Sequence, residues 1–177
     1  MAISVFRNGL IAAVLTGFAS LASAQVYMGG AVGFNSFNSN DVEKYEIEEE
    51  STAFELLMGI KLIDVLGLEF AYLNLGEFRD YYYDTDLNFS GFAMSANAFL
   101  PLGTQMDLYA KVGIFFWELD ERYRGFDDLV DDGQDLFVGG GAVFHLTDEV
   151  DINLEYKSME MDFLRSGVVT AGVRFVF

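Results

Sequence analysis

Four things are scarce in this sequence: cysteine, proline, basic side chains and long apolar runs. The 177 residues contain no cysteine, which rules out a disulfide framework, a thiolate metal site and thiol catalysis. The one proline, Pro101, falls in a short predicted turn, where its missing N–H does no harm. Ten Lys and Arg stand against 28 Asp and Glu, a net charge of −18. Nucleic acid is therefore not an expected partner, since its negatively charged phosphates bind basic protein surfaces.

The N-terminus has the three-part layout of a secretory signal peptide. Arg7 supplies a positive charge, residues 10–21 are mostly apolar, and Ala22-Ser23-Ala24 is a small-residue cleavage pattern before Gln25. The apolar part is too short for a comfortable membrane span. We therefore expect residues 1–24 to be a signal peptide cleaved between Ala24 and Gln25, with an uncleaved anchor as the alternative. The mature chain of 153 residues (177 minus 24) suits one domain, residues 25–177.

Apolar residues in the mature chain are abundant but dispersed. The chain is 52% hydrophobic and 16% aromatic, with a mean hydropathy of +0.26, yet no stretch beyond residue 24 approaches the roughly 20 apolar residues of a transmembrane helix. Segments that alternate apolar and polar residues predict β-strands. We find eight of barrel-strand length, roughly Val26–Phe34, Ala53–Leu62, Leu66–Leu75, Leu87–Leu100, Met106–Leu119, Leu136–Leu146, Val150–Met159 and Val168–Phe177.

The connections between these segments alternate in length. Short ones fall at residues 63–65, 101–105 and 147–149, and longer polar ones at about 35–52, 76–86, 120–135 and 160–167. Outer-membrane barrels show this alternation, with short periplasmic turns and long external loops, although a soluble up-and-down barrel produces some of it too. The pattern predicts an all-β fold: an eight-stranded antiparallel up-and-down transmembrane β-barrel with both termini in the periplasm.

The second, third, fifth, seventh and last predicted strands each have one apolar face and one mixed face. In the second strand Phe54 and Leu56 share a face, while Glu55 and Lys61 lie on the opposite one. We expect the apolar faces to meet lipid and the charged faces to line the lumen, where ions must be paired because an isolated buried charge is very costly. The predicted lumen charge network comprises Glu55, Lys61, Glu69, Lys111, Glu155, Lys157 and Arg174, with Lys111 and Arg174 pairing with Glu69 or Glu155.

Two stretches and the C-terminus resemble a known family. "MDLYAKVGIFFWELDE" (106–121) and "GGGAVFHLTDEVDINLEYKSME" (139–160) resemble parts of the OmpA-like transmembrane barrels, or outer membrane β-barrel (porin-family) proteins. The ending resembles the signal read by the outer-membrane assembly machinery, with the pattern at Thr170, Gly172, Phe175 and Phe177.

The resemblance implies a Gram-negative outer-membrane location. Its implied partners are outer-membrane lipids, the barrel assembly machinery and periplasmic chaperones, with no cofactor. It also implies an internal charge cluster that plugs the lumen or rearranges to conduct weakly; a static network and a gated pore both stay open. Because the sequence ends with the last strand, we do not expect the peptidoglycan binding of members that carry a second domain.

Acidic segments at 41–50 and 118–135 are the second notable feature. Blocks of like charge usually form a solvated surface. Two further interpretations are an external ligand, with Tyr81–Tyr83 and Tyr123 as adhesive anchors, and a divalent cation. The oxygen ligands for a cation would come from Asp127, Asp128, Asp131, Asp132 and Asp135, but their spacing does not match an EF-hand loop.

A lone histidine, His145, raises the alternative of an outer-membrane lipid-modifying hydrolase. It lies near a short turn, and no serine follows at a suitable spacing, so no nucleophile, base and orienting group converge. We therefore expect a non-enzymatic protein with a structural or surface-interaction role and at most weak small-solute pore activity.

Overall fold

The computed structural model describes residues 24–38, 50–80, 85–123, 126–161 and 164–177. Residues 1–23 of the expected signal peptide, most of the acidic segment 41–50 and Tyr81–Tyr83 lie outside this part, and cleavage after Ala24 stays a prediction. The described residues form eight strands: β1 (Gln25–Asn38), β2 (Glu50–Ile63), β3 (Leu66–Asp80), β4 (Thr85–Pro101), β5 (Met106–Tyr123), β6 (Phe126–His145), β7 (Val150–Met161) and β8 (Leu164–Val176).

The strands close into a single barrel. Each strand pairs antiparallel with its neighbours in sequence, and β8 pairs with β1, with Gly29 opposite Arg174 and Gly33 opposite Thr170. Closure leaves no strand edge, so every strand finds its hydrogen-bond partners within the sheet, as a bilayer requires. The predicted fold class is confirmed.

No helix among the described residues is long and apolar enough to cross a membrane.

The strands extend further than the sequence predicted, and most of the expected long loops are wrong in extent. Pairing of β5 with β6 continues to Tyr123 opposite Phe126, through most of the segment 120–135 that was expected to be a loop. Pairing of β3 with β4 likewise continues to Asp80 opposite Thr85. Backbone ladders need no apolar alternation outside lipid, so the alternation marks only the membrane-crossing part of each strand. The ends joined by short turns are called the turn end here, and the opposite side the loop end.

Outward and inward positions alternate as a two-faced barrel requires. Large apolar side chains cover the outside; Phe34 is 67% exposed and Leu136 is 69% exposed. Such a continuous apolar surface is expected to contact the hydrocarbon of a lipid bilayer. Inward side chains fill the lumen, because an eight-stranded barrel is only wide enough to hold its own side chains.

One irregularity shapes the loop end of β3. The β3–β4 register shifts between Asn74 and Glu77, and Gly76 there has φ of +89°, a left-handed conformation that favours glycine. The Gly76 N–H donates to Asn74 Oδ1 at 2.9 Å. The bulge lies next to Leu75, whose carbonyl accepts hydrogen bonds from Ser51 and Asn35.

Candidate functional site

Lysines and glutamates alternate through the middle of the barrel interior. Lys111 Nζ lies 2.5 Å from Glu69 Oε1 and 2.7 Å from Glu155 Oε2. Lys157 Nζ lies 2.6 Å from Glu55 Oε2 and 2.8 Å from Glu155 Oε1. All five side chains are buried. Glu155 is the hub, because it holds one lysine with each of its oxygens.

Arg174 and two tyrosines complete this network. Arg174 Nη2 lies 3.6 Å from Glu69 Oε2 and 3.8 Å from Glu155 Oε2. Its guanidinium carbon lies 5.0 Å from the ring centroid of Tyr27 and 5.3 Å from that of Tyr109, within reach of a cation–π attraction. The Tyr27 hydroxyl donates to Glu69 Oε2 at 2.9 Å, and the Tyr109 hydroxyl donates to Glu155 Oε2 at 2.5 Å. The rings therefore support the arginine while their hydroxyls support the carboxylates.

The network balances its formal charge. Three glutamates and three bases sum to zero, which suits a buried site because uncompensated ions there are costly. Its charged members come from β2, β3, β5, β7 and β8, and the contact of Lys157 with Glu55 joins residues 102 apart in sequence. Four of these ion pairs connect strands that are two or three positions apart in the closed sheet.

Gly139 lets two lysines from different strands approach each other. In register it lies between Lys111 on β5 and Lys157 on β7. A Cβ atom at Gly139 would lie 3.1 Å from Lys111 Cγ and 3.4 Å from Lys157 Cγ. Any larger side chain would crowd both stems, so glycine keeps the inner wall of β6 clear for them.

A second polar layer closes the turn end of the lumen. Lys61 Nζ lies 2.6 Å from Asp107 Oδ2, and it also lies 4.7 Å from the centroid of the Phe99 ring. His145 contacts Asp151 Oδ1 through Nδ1 at 2.8 Å and faces Asp107 Oδ2 through Nε2 at 3.5 Å. Lys61 was predicted as part of the lumen network; it faces inward but belongs to this turn-end layer, apart from the other six.

Above the charge network, toward the loop end, the interior is apolar. On β5 the inward positions after Lys111 are occupied by Gly113, Phe115 and Trp117, and on β7 Met159 follows Lys157. The Trp117 ring packs at 6.0 Å from the Phe89 ring, and its Nε1 donates to Asp135 Oδ2 at 2.6 Å. This apolar layer includes Leu73, Leu75, Phe89, Phe115, Trp117, Phe137, Met159 and Val168, all buried.

A small polar cluster lies on the loop-end side of the apolar layer. Ser166 Oγ donates to Asn35 Oδ1 at 2.6 Å, and Asn35 Nδ2 and Ser51 Oγ donate to the Leu75 carbonyl at 3.4 and 2.5 Å. All three side chains are buried. These side chains pack the loop-end part of the described interior.

Sequence reasoning selected the charged lumen residues, and it paired Lys111 and Arg174 with Glu69 or Glu155, but it overlooked three other side chains that contact them. Asp107, Tyr27 and Tyr109 lie on the same inward faces as the selected charges, so the alternation that found Lys111 also marked Tyr109 and Asp107. The apolar layer could not be recognised from the sequence pattern, because Phe115 and Met159 lie on faces that also carry polar residues and glycines.

The residues of the expected assembly signal divide between the two faces of β8. Thr170 is buried inside and Gly172 also faces inward, whereas Phe175 and Phe177 lie outside. The Phe177 N–H donates to the Val26 carbonyl at 2.9 Å, and its side chain is 74% exposed. The terminal residue therefore continues the β8–β1 seam and presents its ring to lipid.

His145, the residue behind the hydrolase alternative, has carboxylate neighbours on both ring nitrogens. Each contact found for its ring goes to Asp107 or Asp151, and none goes to a hydroxyl among the described residues. A nucleophilic mechanism needs a hydroxyl or thiol beside the base. The geometry gives the hydrolase interpretation no support.

The closed sheet, the apolar exterior and the filled interior define a transmembrane β-barrel of the outer-membrane class. Residues 21–161 match the model of the OmpA-like transmembrane domain, and the chain belongs to that family. The suspected resemblance is confirmed, and the protein is an outer-membrane barrel.

Curated relatives and solved structures agree with this assignment. Outer membrane protein A of Klebsiella aerogenes is 29% identical over 162 residues, 83% of this chain and 46% of the relative. The chain spans about half the length of the curated relatives it matches. Neisserial surface protein A (NspA) has a TM-score of 0.71 at 18% identity, covering 86% of this chain and 97% of that one. Ail of Yersinia pestis has a TM-score of 0.65 at 14% identity, covering 87% and 99%. At these identities the structural matches show the fold alone.

Proposed function

We propose that this protein is a closed barrel that anchors a surface-exposed structure in the outer membrane, with a structural or surface-interaction role and at most slight leakage of small solutes. The observation that supports it is the apolar layer above a neutral charge network. Phe115 and Met159 are fully buried, and Phe137 is 2% exposed. An ion would have to break the network and then cross an apolar layer, and both steps are unfavourable.

The loop end carries the surface role in this proposal. β5 and β6 are the longest strands, with 18 and 20 residues, while about 9–11 residues span the bilayer. The β5–β6 ribbon therefore projects beyond the lipid and carries the acidic segment 118–135. The loop end then faces the cell exterior, the termini face the periplasm, and lipids, periplasmic chaperones and the assembly machinery are the remaining partners.

The charge of the chain indicates what kind of external partner fits. Ail of Yersinia pestis has been solved with the heparin analogue sucrose octasulfate, which is a polyanion. This chain has a net charge of −18, so a polyanion would be repelled and a cationic surface or peptide would be attracted. The loop-end acids thus favour a basic partner.

Planar-bilayer conductance of refolded residues 25–177 tests the closed interior. We expect the wild-type barrel to show no steady ionic conductance, whereas Phe115→Ala combined with Phe137→Ala should conduct because two of the rings of the apolar layer are removed. Matched outward substitutions, Phe116→Ala with Leu136→Ala, should leave the barrel closed. A steady conductance in the wild-type barrel would contradict the proposal.

Epitope tags test the orientation. A tag inserted after Asp128, in the acidic ribbon, should bind antibody on intact cells, and a tag in the turn 102–105 should bind only after permeabilisation. The opposite labelling pattern would reverse the topology.

A lipid-hydrolysis assay tests the alternative function. Incubation of the purified, refolded protein with labelled outer-membrane lipid should release no fatty acid, and release that depends on His145 would establish the hydrolase instead.

A further inference from the structure

On one side of the barrel β6 rises above its neighbour. Closure removes the sheet edges only where neighbouring strands run side by side, and β6 pairs with β7 no further than Phe137 opposite Met159. β6 itself continues in its ladder with β5 to Phe126, whereas the last residues of β7, to Met161, pair with β8. Among the strands that the structure describes, residues 126–136 of β6 therefore have a neighbour on one side only.

The part of this stretch nearest the membrane, residues 131–136, is called the β6 edge here, and its backbone is regular. The register shift of the β5–β6 ladder lies beyond it. On its inner side the Trp117 ring covers Gly133, where a Cβ atom would lie 2.5 Å from Cζ2, and Trp117 Nε1 donates to Asp135 Oδ2. These contacts fix the edge to β5 before any partner arrives, which lowers the ordering cost of binding.

The alternation of hydrogen bonds along β6 shows which amides face the open side. The His145 N–H donates to the Gln105 carbonyl at 2.9 Å, on the β5 side. Consecutive residues of an antiparallel strand direct their backbone N–H and C=O groups to opposite sides. The ladder has no register shift between His145 and Gly133, so the Gly133 N–H also points to β5 and the Gln134 N–H points to the open side. No described strand pairs with Gln134 on that side.

β3 also extends beyond its neighbour, but its end is covered. Its ladder with β2 stops at Asn74 opposite Phe54. A bulge follows at once, and the Leu75 carbonyl there accepts hydrogen bonds from Ser51 and Asn35. Bulges are one of the devices by which proteins keep sheet edges from pairing with other chains. No bulge interrupts residues 131–136, so the β6 edge keeps the geometry that a further strand needs.

The charge of this part of β6 determines which strand can pair with it. Residues 126–136 read FDDLVDDGQDL, with five aspartates and no basic residue. Like charges directly opposite each other on paired strands are destabilising, whereas opposite charges stabilise the pair. A second copy of the same edge is therefore repelled, and an extended segment rich in lysine or arginine is attracted. When a peptide adds to an exposed sheet edge, main-chain hydrogen bonds supply the affinity.

We propose that the β6 edge binds an extended, basic polypeptide segment of another protein, which pairs with it as an additional strand. The proposal rests on the surface role proposed above and specifies the place and the mode of binding. The partner takes the position beside β6 that β7 occupies lower in the barrel. Its main chain pairs with β6, and its basic side chains lie near the aspartates.

Amide hydrogen exchange with two matched peptides tests this mode of binding. The first is a peptide of alternating lysine and threonine with blocked ends, and the second has the same sequence with every amide N-methylated, so it keeps the charge but has no main-chain donor. In refolded residues 25–177 in zwitterionic micelles, the first peptide should slow exchange of the Gln134 amide by roughly tenfold or more. The Gly133 amide, which faces β5, should change little, and the methylated peptide should protect neither.

Two results of this experiment would overturn the proposal. Equal protection by both peptides would mean that charge alone attracts them. Exchange at Gln134 as slow as at Gly133 without any peptide would mean that the edge is already covered. If the first peptide protects Gln134 but a tag after Asp128 stays closed to antibody on intact cells, the proposed orientation would be wrong and the edge pairing would stand.

Disulfide trapping gives a second, independent readout, because the chain has no cysteine of its own. Gln134→Cys places a thiol on the β6 edge, and Ser36→Cys places an exposed thiol on β1, where β2 and β8 pair on both sides. A lysine–threonine peptide with one central cysteine should cross-link to the Gln134→Cys barrel roughly tenfold faster than to the Ser36→Cys barrel. The N-methylated version should lose this preference. Equal rates for the two barrels with the unmethylated peptide would overturn the proposal.

Discussion

Replacing Lys111 by methionine tests how far the charge network holds the barrel together. The ammonium contacts Glu69 at 2.5 Å and Glu155 at 2.7 Å. Methionine keeps the apolar stem and removes the charge, so the buried network changes from neutral to −1. Arg174 stays near both carboxylates, but only at 3.6 and 3.8 Å.

Breaking a buried ion pair on one side commonly costs about 3–5 kcal/mol. With roughly 1.4 kcal/mol for each factor of ten, the folding equilibrium constant should fall by about two to four orders of magnitude. The measurement is urea unfolding of the refolded barrel in micelles, followed by tryptophan fluorescence and heat-modifiable migration.

Two variants serve as controls for Lys111→Met. Lys61→Met also removes a lysine from an ion pair, but that side chain is 19% exposed at the mouth and makes one ion pair rather than two, so its loss should cost less than the loss of Lys111. Adding Glu69→Gln to Lys111→Met restores neutrality and should recover part of the lost stability. If Lys111→Met unfolded at the wild-type urea concentration, or if Glu69→Gln gave no recovery, the network would not stabilise the barrel as described here.

Three further predictions concern packing, assembly and processing. Gly139→Val should destabilise the barrel by about 1–3 kcal/mol because its side chain overpacks the two lysine stems, while the outward Gly140→Val should cost less in the same urea titration. Deletion of Phe177 should reduce membrane insertion in cells far more than refolding yield in micelles, since a side chain 74% exposed adds little internal packing; equal losses would make the residue only structural. Mass spectrometry of the outer-membrane fraction should find Gln25 as the first residue, and an intact Met1 would disprove cleavage after Ala24.

The alternation of side chains allowed the faces of the strands to be predicted from sequence. On β2, for example, Glu55 and Lys61 were expected inside and Leu56 outside, and the structure places them so. A period of two is a local property that each strand carries by itself. Eight such strands with short turns at one end then favour an antiparallel up-and-down barrel.

The pairing of Lys111 and Arg174 with Glu69 or Glu155 was expected, but the other partner choices inside the lumen could not be predicted in the same way. Lys61 meets Asp107, 46 residues later, because the tilt and stagger of the closed sheet bring β2 and β5 to the same height at the mouth. The stagger is a property of the whole barrel and leaves no mark on any single strand. The extent of the strands beyond lipid was hidden for a related reason: from Glu118 onward the apolar alternation stops while backbone pairing goes on.

The ladder between β5 and β6 also has a mechanical consequence. Phe116 is the last large apolar residue exposed on the part of β5 whose side chains the structure describes, and pairing runs seven residues further to Tyr123. At about 3.3 Å per residue this is roughly 23 Å of hydrogen-bonded ribbon along the strand direction. A paired ribbon resists bending better than a single chain, and it holds the paired residues Tyr123 and Phe126 at a nearly fixed distance from the lipid. A peptide inserted at this end of the β5–β6 ribbon would therefore be displayed away from the membrane, without disturbing the packed interior of the barrel.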